Sequence, residues 1–578
     1  MYWLNENSRK FLSKGYLVGD MTAEERIRQI AEIAEKHLGT PGFADKFYGY
    51  MSRGFYSLAT PIWANYGQTR GLPISCFGSY VDDDMSRILY THAEVGMMTK
   101  YGGGTSIYLG ALRPRGSVIK GNGYSSGSVH FLELFDGLIN IVSQGTVRRG
   151  HCAPYLPVEH GDIEEFLNIG KEGHPIQEST YAITVTDQWL QEMVEGDEDK
   201  RKVWAKVIQR RTEIGYPYIL FSDTVNNNTV DVYKDKGMKI YNSNLCSEIC
   251  LPTADDISFV CCLSSINLRH YHEWKDTDAV ETLAMFLDTV ISEFVERLES
   301  FRDSGDPHKQ SAFYFMQRAH KFAKEHRALG LGVLGWHTFL QENNLAFDSK
   351  EALELNEEIF KLIKEKAYAA SADLANKYGE PEVLKGYGRR NTTLLAIAPT
   401  TSSSFILGQV SQGIEPLMSN AFVKDVDKMK VTIKNPTLEK LLEEKGQNSK
   451  DVWDSIRDND GSVQHLNFLT DHEKKVFRTF AELDQRVIID QAAARQKYID
   501  QAQSLNLMID PNISAKDLNA LYLYAWEQGV KTLYYQHSMN AAQQFGRKKL
   551  QEQDAKKPEA KQPTVMVVEE AICVSCEA

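Results

Sequence analysis

Short apolar runs alternate with long amphipathic stretches over most of this chain, and no other feature constrains its fold as strongly. Glycine breaks the apolar runs, as in residues 101–112 and 115–123, and this pattern is typical of strands and tight turns. Because strand and helix patterns recur in turn, the sequence predicts an α/β fold. Apolar residues recur at helical spacing in residues 85–99, 187–195, 278–300, 312–326 and 349–377.

Composition and charge exclude several classes of protein. Of 578 residues, 42% are hydrophobic and 10% aromatic, as in a globular chain. The net charge of -13 argues against a general nucleic-acid binder, which needs a concentrated basic face. No window approaches the ~18 consecutive apolar residues of a membrane span, and residues 1–10 lack the apolar core of a secretory signal. The sequence therefore predicts a cytoplasmic protein without a membrane or nucleic-acid partner.

Three regions can be distinguished along the chain. Thr22 and Glu25 match the capping box of a helix, which predicts a small helical region over residues 1–70. The alternating pattern occupies residues 71–545, where no clean internal boundary is visible. Residues 546–578 lack hydrophobic periodicity and are mainly polar, so a flexible tail is predicted there.

The tail carries two of the eight cysteines, Cys573 and Cys576. Eight cysteines are too few for the disulfide framework of so long a secreted chain. Each is therefore a buried structural residue, a redox group or a catalyst. A CxxC pair can form a reversible disulfide or supply half of a zinc site. Because the tail has no histidine or other cysteine, a mobile redox pair is the favoured hypothesis.

An amide, a thiol and a carboxylate stand at alternate positions in Asn244, Cys246 and Glu248. In an extended strand these side chains would share one face and line one wall of a pocket. The thiol can be a nucleophile, a hydrogen-atom donor or a metal ligand, and the carboxylate can accept a proton. The alternative is a partly buried strand with an inert structural cysteine.

Two further cysteines lie in apolar, strand-like runs, Cys76 in residues 72–77 and Cys261 in residues 259–264. They can form a disulfide linked to substrate turnover beside Cys246, which the tail pair would reduce by exchange. The alternative is that all three are core cysteines. Distance along the chain leaves both interpretations open.

Taken together, five motifs resemble the large, catalytic α subunit of class I ribonucleotide reductase. The match runs from about residue 60 to the C-terminus in the order of that family. The resemblance implies a ten-stranded α/β barrel with Cys246 at the tip of an internal loop. We expect this chain to lack the N-terminal ATP-cone that is common in the family. The motifs are Asn244 to Glu248 before Leu251-Pro252-Thr253, Ser75-Cys76, Cys261 with Leu263 and Ser264, Tyr534-Tyr535 after Lys531-Thr532-Leu533, and the tail pair.

The resemblance also implies roles for these residues. Cys246 would become a thiyl radical that abstracts the 3'-hydrogen of a ribonucleoside diphosphate. Glu248 would take the proton of the 3'-hydroxyl, and Asn244 would hydrogen-bond the ribose. Cys76 and Cys261 would deliver two electrons as the 2'-hydroxyl leaves as water. The tail pair would then reduce their disulfide, served by a thioredoxin- or glutaredoxin-like protein.

A run of short hydroxyl side chains is the candidate phosphate site. Taken alone it is an ordinary solvated loop or an anion cradle at a helix start, and the resemblance favours the substrate diphosphate. The predicted substrate residues are Thr60, Ser75, Gly104, Asn244, Glu248, Pro399, Thr400, Thr401, Ser402 and Ser403.

Tyr534 and Tyr535 are either ordinary packing or, by resemblance, the last relay that carries an oxidising equivalent to Cys246. The relay implies a small β subunit with a metal or radical cofactor, and no metal or covalent cofactor in this chain. Two alternatives stay open: the same chemistry run with adenosylcobalamin, which the tyrosine pair argues against, and a catalytically silent nucleotide-binding regulator.

The resemblance extends to a site for dNTP or ATP effectors, on an α subunit that is expected to form a homodimer. An acidic residue there would accept from a ribose hydroxyl, and Arg113 would meet phosphate. An ordinary solvated charge pair is the alternative. The predicted effector residues are Asp83, Asp84, Met85, Arg113, Ile119, Ser143, Gln144 and Arg148.

Overall fold

The strands and helices follow the predicted alternation. The computed structural model describes residues 1–145, 149–177, 179–426 and 429–538. The strands are β1 (Tyr56–Leu58), β2 (Cys76–Tyr80), β3 (Gly104–Tyr108), β4 (Val118–Ile119), β5 (Gly123–Tyr124), β6 (Cys152–Pro157), β7 (Ala182–Val185), β8 (Tyr218–Phe221), β9 (Phe259–Asn267), β10 (Leu329–Leu334), β11 (Ala421–Val426), β12 (Met429–Lys434), β13 (Leu507–Ile509), β14 (Thr532–Leu533) and β15 (Gln536–Ser538).

The α-helices surround the sheet. They are α1 (Glu6–Ser13), α2 (Ala23–Leu38), α3 (Phe43–Ser52), α4 (Thr60–Asn65), α5 (Met85–Lys100), α6 (Ser128–Ile141), α7 (Ile163–Phe166), α8 (Asp187–Glu195), α9 (Glu198–Ile214), α10 (Ser222–Asn227), α11 (Asp231–Asp235), α12 (Tyr271–Trp274), α13 (Ala279–Arg302), α14 (Pro307–His326), α15 (Trp336–Glu342), α16 (Lys350–Tyr378), α17 (Thr401–Ile406), α18 (Pro436–Glu444), α19 (Lys450–Asp458), α20 (Asp471–Val476), α21 (Gln485–Gln496) and α22 (Ala515–Glu527).

The predicted helices are confirmed, because their signals are local. Thr22 and Glu25 form both hydrogen bonds of a capping box at the start of α2. α5 and α8 begin where the spacing predicts, and α13, α14 and α16 cover the three long amphipathic stretches. Within the described ranges no helix combines the length and the apolar character needed to cross a bilayer.

Two sets of parallel strands build the main sheet. β2, β3, β6, β7 and β8 are parallel neighbours in the first set. In the second set β9 and β10 are parallel, and parallel bridges continue from Leu331 to Leu395 and from Ile397 to Gln503. The sets meet antiparallel at two seams, β2 with β9 and β8 with β14.

The ring closes through a backbone hydrogen bond from Tyr534 N to Leu505 O of 2.9 Å. The predicted barrel type is therefore confirmed, but the strand count needs correction, because within the described residues the main sheet has nine strands rather than ten. One of the nine, β1, lies at an end of the strand order and pairs with β9. The segments around Leu395 and Gln503 complete the ring through isolated bridges instead of regular ladders.

Buried Arg26 fixes the helix that begins with the predicted substrate residue Thr60. Its guanidinium donates to the carbonyl oxygens of Ile62, Trp63 and Tyr66 at 3.0, 2.9 and 2.6 Å. The last carbonyls of a helix have no partner within it, so an arginine from α2 supplies what the end of α4 lacks. α2 thus fixes the position of α4, which begins with Thr60.

Candidate active site

The segment from Asn244 to Glu248 is a buried loop between α11 and β9. The prediction of a strand here is wrong, and the loop implied by the family resemblance is confirmed. Asn244 Oδ1 accepts the backbone N–H groups of Glu248 and Ile249 at 3.1 and 3.2 Å, which curls the chain. Ser247 has a φ of 68°, in the left-handed region that a regular strand does not use.

The predicted amide and carboxylate contact each other directly. Asn244 Nδ2 donates to Glu248 Oε1 at 3.0 Å, and Tyr155 Oη donates to the carbonyl oxygen of Asn244 at 2.7 Å. Ser504 Oγ, from a distant segment, lies 2.5 Å from the carbonyl oxygen of Cys246 and 3.0 Å from Glu248 Oε2. Ser504 thus links the backbone of the thiol residue to the carboxylate that would act as base.

Cys76 and Cys261 are opposite each other across the seam between β2 and β9. Opposed residues of antiparallel strands have Cα atoms about 4.5–5.5 Å apart, which is within the disulfide range of about 4.4–6.8 Å. Both are free thiols here, and Asn244 Nδ2 lies 3.7 Å from Cys76 Sγ. The fold therefore places Cys76 opposite Cys261 and brings Asn244, two residues before Cys246, next to Cys76.

The electrostatic setting keeps Cys261 as a thiol. Burial raises the pKa of Cys261 well above its ordinary value, although a hydrogen bond from Gln501 opposes the shift. Hydrogen-atom and radical chemistry uses the neutral thiol, whereas nucleophilic attack needs the thiolate. Cys261 is therefore suited to donate hydrogen rather than to act as a nucleophile.

The predicted substrate residues lie around this seam. Gly104 pairs with Cys76 in the β2–β3 register, and its N–H donates to the carbonyl oxygen of Ser75 at 2.7 Å. Ser75 Oγ lies 3.8 Å from Cys76 Sγ. Thr60, at the start of α4, is buried on the chain that continues from β1.

The candidate phosphate loop enters the short helix α17. Thr400 has a φ of 56°, and its Oγ1 accepts the N–H of Gly413 at 2.7 Å, which shapes the turn. The hydroxyl of Ser403 is buried and has no hydrogen-bond partner among the described residues. Ser57 Oγ of β1 lies 3.5 Å from the carbonyl oxygen of Ser403, so this loop and the Thr60 segment are neighbours.

Tyr534 and Tyr535 belong to a larger cluster of phenols. Their ring centroids are 4.3 Å apart, and Tyr218 lies 4.6 Å from Tyr534. Tyr216 Oη donates to Tyr535 Oη at 3.1 Å. Burial and then neighbouring tyrosines raise the pKa of Tyr218 well above its ordinary value, and the Cys246 thiol adds to this shift. The phenol cluster thus joins Tyr534 and Tyr535 to Tyr216 and Tyr218 of the β8 segment.

Several site residues carry no signal in the sequence alone. Tyr155, Gln501 and Ser504 come from segments far from the Cys246 loop and match no motif. Tyr216 and Tyr218 flank Pro217, and this aromatic run at the start of β8 is a local pattern that points to the phenol cluster.

The predicted effector residues fall into separate groups. Asp83 and Arg113 form an ion pair of 2.6 Å, and Asp84 caps α5. Met85 is exposed at the start of α5, and Ile119 is half-buried in the hairpin of β4 and β5.

The Ser143–Gln144 segment contacts α4. Gln144 Nε2 donates to Asn65 Oδ1 at 3.1 Å, and any side chain at Gly71 or Gly102 would collide with the Gln144 amide. Ser143 Oγ donates to the carbonyl oxygen of Gly145. Three predicted residues lie outside the described residues: Arg148, Cys573 and Cys576.

Buried Lys531, at the base of β14, ties the phenol strand to the segment behind the cysteines. Its Nζ donates to the carbonyl oxygens of Asp500 and Gln501 at 2.7 and 2.9 Å. Burial lowers the pKa of Lys531 from 10.5 to about 8. Between these values the unfolded chain binds a proton that the folded chain does not, so the free energy of unfolding should rise with pH there.

This rise should reach about 3 kcal/mol between roughly pH 8 and 10.5. Urea denaturation across this window, compared with Lys531→Met, isolates the contribution, because the variant should lose the rise. Lys350→Met, at an exposed lysine, should keep it. Equal slopes for wild type and Lys531→Met would contradict the burial effect.

The sequence-family model of the ribonucleotide reductase barrel domain matches residues 74–200, 191–383 and 381–536 of this chain. The chain belongs to the ribonucleotide reductase family. Over 570 residues it is 32% identical to the ribonucleoside-diphosphate reductase large subunit of Invertebrate iridescent virus 3, covering 85% of this chain and 87% of that protein. Over 566 residues it is 30% identical to the large subunit of Danio rerio, covering 84% and 69%.

A solved structure supports the same assignment. The Actinobacillus ureae class Id ribonucleotide reductase alpha subunit has a TM-score of 0.87 and 56% identity, and the match covers 94% of this chain and 98% of that one. The chain is thus an oxidoreductase that corresponds to the large, catalytic subunit of the class I enzymes, which work with a partner β subunit.

Proposed function

We propose that this ribonucleotide reductase subunit converts ribonucleoside diphosphates to 2'-deoxyribonucleoside diphosphates by thiyl-radical chemistry. One observation carries the proposal: Cys76 and Cys261 are paired in register beside a loop whose Asn244 contacts both Cys76 and the carboxylate of Glu248. A reducing thiol pair, a third buried thiol and a base in one site are what replacement of a 2'-hydroxyl by hydrogen requires.

Each residue has a defined task in this reaction. The Cys246 thiyl radical takes the 3'-hydrogen atom, and Glu248 accepts the proton of the 3'-hydroxyl, which eases loss of the neighbouring 2'-hydroxyl. Cys76 and Cys261 then lose two electrons and two protons as their disulfide forms. One hydrogen leaves in water with the 2'-hydroxyl, and the other ends on C2'. Cys246 finally returns the hydrogen atom to C3'.

Tyr534 and Tyr535 would carry the oxidising equivalent to Cys246. The metal or radical cofactor of the β subunit supplies that equivalent. Two observations support this role. The two rings are in contact, and Tyr535 is half-buried whereas Tyr534 is buried. Such an order leads from the surface towards the interior.

The substrate diphosphate would bind at residues 399–403. The buried Ser403 hydroxyl, the constrained Thr400 turn and the neighbouring Thr60 segment support this assignment. Ribonucleoside diphosphates are the substrates we infer, with the ribose held by Asn244 and Glu248.

Effector dNTP or ATP would bind near Asp83 and Arg113, on an α subunit that forms a homodimer. A phosphate can compete with the Asp83 carboxylate for the Arg113 guanidinium, because arginine binds both anions with the same planar donors. Gln144 connects the neighbouring loop to Asn65 of α4 and so offers a physical route from effector to substrate site.

We propose that the chain is divided into a helical region of residues 1–70, a catalytic barrel of residues 71–545 and a redox-active tail of residues 546–578.

The tail pair Cys573 and Cys576 should be needed only for protein reductants. With both changed to serine, turnover supported by thioredoxin or glutaredoxin should fall at least about tenfold, because exchange through the tail is lost. Turnover supported by dithiothreitol should stay near that of wild type, since a small dithiol can reach Cys76 and Cys261. Cys152→Ser is the control. A double variant that thioredoxin still serves fully would contradict the role of the tail.

The test of the proposed function is reduction of CDP to dCDP by this chain with its β subunit and dithiothreitol. We expect turnover that requires the β subunit. Turnover with adenosylcobalamin in place of the β subunit would support the cobalamin alternative. CDP binding without turnover beside an active β subunit would support the silent regulator.

A further inference from the structure

Gln501 joins the catalytic loop to one cysteine of the reducing pair. Its buried side-chain Oε1 accepts the N–H of Cys250 at 3.0 Å, and its Nε2 lies 3.4 Å from Cys261 Sγ. The same Nε2 lies 3.0 Å from the carbonyl oxygen of Leu329 and 3.1 Å from Thr393 Oγ1. One amide therefore fixes the loop backbone and contacts the thiol at the same time.

The backbone of Gln501 is fixed as firmly as its side chain. The N–H of Gln501 donates to the carbonyl oxygen of Leu395 at 3.2 Å, and the carbonyl oxygen of Gln501 accepts from Lys531 Nζ at 2.9 Å. The N–H of the next residue, Ala502, donates to the carbonyl oxygen of Glu248 at 2.8 Å. The side chain thus reaches Cys261 from a segment that cannot shift independently of the catalytic loop.

We propose that Gln501 is a positioning residue for Cys261 in the reductive step, an inference that rests on the proposed function. Its N–H donates to Cys261 Sγ and orients the sulfur towards Cys76. It also stabilises the negative charge that develops on this sulfur as its proton leaves. Two S–H bonds break and one S–S bond forms; the two electrons and two protons pass to the substrate, which yields water and the C2'–H bond.

The charge of this side chain is what the experiment varies. Gln501→Glu keeps an oxygen that can accept the N–H of Cys250, but as a carboxylate it has no N–H for Cys261 and repels a developing thiolate. As a carboxylic acid it has one O–H to donate. The reductive step of this variant should therefore become slower as pH rises.

The matched control is Gln503, two residues along the same segment. It is equally buried, with its Oε1 2.6 Å from Arg495 Nε and its Nε2 2.9 Å from the carbonyl oxygen of Ala492 and 3.0 Å from Gln496 Oε1. None of these partners is a cysteine. Gln503→Glu thus imposes the same chemical change without touching the reducing pair.

The measurement is a single turnover of pre-reduced holoenzyme, α with β, with CDP and no added reductant. The Cys76–Cys261 disulfide and any disulfide that the pair Cys573 and Cys576 takes over by exchange are counted together by quenching, alkylation and mass spectrometry. The Kd for CDP is measured separately. At pH 8, Gln501→Glu should form the disulfide at least about tenfold more slowly, with the Kd for CDP within about twofold of wild type. Lower pH should restore part of the rate, whereas Gln503→Glu should stay within about twofold at every pH.

A second variant separates reach from charge. Gln501→Asn keeps both the carbonyl oxygen and the NH2 group of the side-chain amide but is one methylene shorter. It should therefore slow disulfide formation without the new pH dependence. A wild-type rate and pH profile in Gln501→Glu would overturn the inference, and so would an equal loss in Gln503→Glu. If wild type itself forms neither dCDP nor the disulfide, the proposed function fails instead, so the two failures are distinguishable.

Discussion

Replacement of Cys246 by serine should abolish reduction of CDP while CDP still binds. The O–H bond of serine is much stronger than the S–H bond of cysteine, so the relay cannot generate the corresponding radical in the site. The change removes one sulfur from a buried position and leaves the contacts of Asn244, Glu248 and Ser504 in place. We expect a loss on the order of 10⁴-fold or more in kcat.

Cys262→Ser is the matched control for that experiment. Cys262 is also a buried free thiol, on β9 next to Cys261, and successive residues of a strand face opposite sides. It should retain turnover within a few-fold of wild type. Activity that survives in Cys246→Ser would sink the thiyl mechanism, whereas equal losses in both variants would point to a packing effect.

Local patterns in the sequence predicted the helices and the identity of the central residues. α5 and α8 could be placed because their apolar spacing and their capping residues lie within a few turns of each other. The proximity of Cys76 and Cys261 could only be hypothesised, because it arises from pairing between strands that are far apart in the chain. The family resemblance identified the residues, and the seam between β2 and β9 explains why they meet.

The loop that carries Cys246 shows why a correct residue set can come with a wrong local structure. Alternation of Asn244, Cys246 and Glu248 has the period of a strand. The Asn244 side chain, however, binds two backbone N–H groups that a strand would pair with a neighbour. The alternation of polar side chains therefore did not predict the local structure, because hydrogen bonds from the Asn244 side chain replace those of a β-ladder.

The strand count and the supporting residues were beyond reach for a related reason. The segments around Leu395 and Gln503 are buried, pair through isolated bridges and lack the alternation of a half-exposed strand. Gln501 and Ser504 act through contacts with residues more than two hundred positions away. Such contacts depend on how the ring closes, which no local window encodes.

The two single variants Tyr534→Phe and Tyr535→Phe should each show turnover reduced by on the order of 10³-fold or more. Phenylalanine keeps the ring and so preserves the packing at 4.3 Å between the two side chains. It removes the O–H group whose hydrogen the relay must lose and regain. Because burial and packing are retained, a loss of this size reports on oxidation of the phenol and not on the fold. The readouts are dCDP formation with the β subunit and the Kd for CDP, which should not change.

Tyr181→Phe provides the comparison, because Tyr181 is a buried phenol of the same cluster, with its ring 6.1 Å from that of Tyr216. It lies outside the contact between Tyr534 and Tyr535 and should keep turnover near wild type. A fully active Tyr534→Phe variant would remove the class I relay from this chain, and addition of adenosylcobalamin would then be the next test. If Tyr534→Phe and Tyr535→Phe fail while Tyr181→Phe works, the path to Cys246 runs through the two phenols that end the β14 segment, since only there does loss of one hydroxyl stop the reaction.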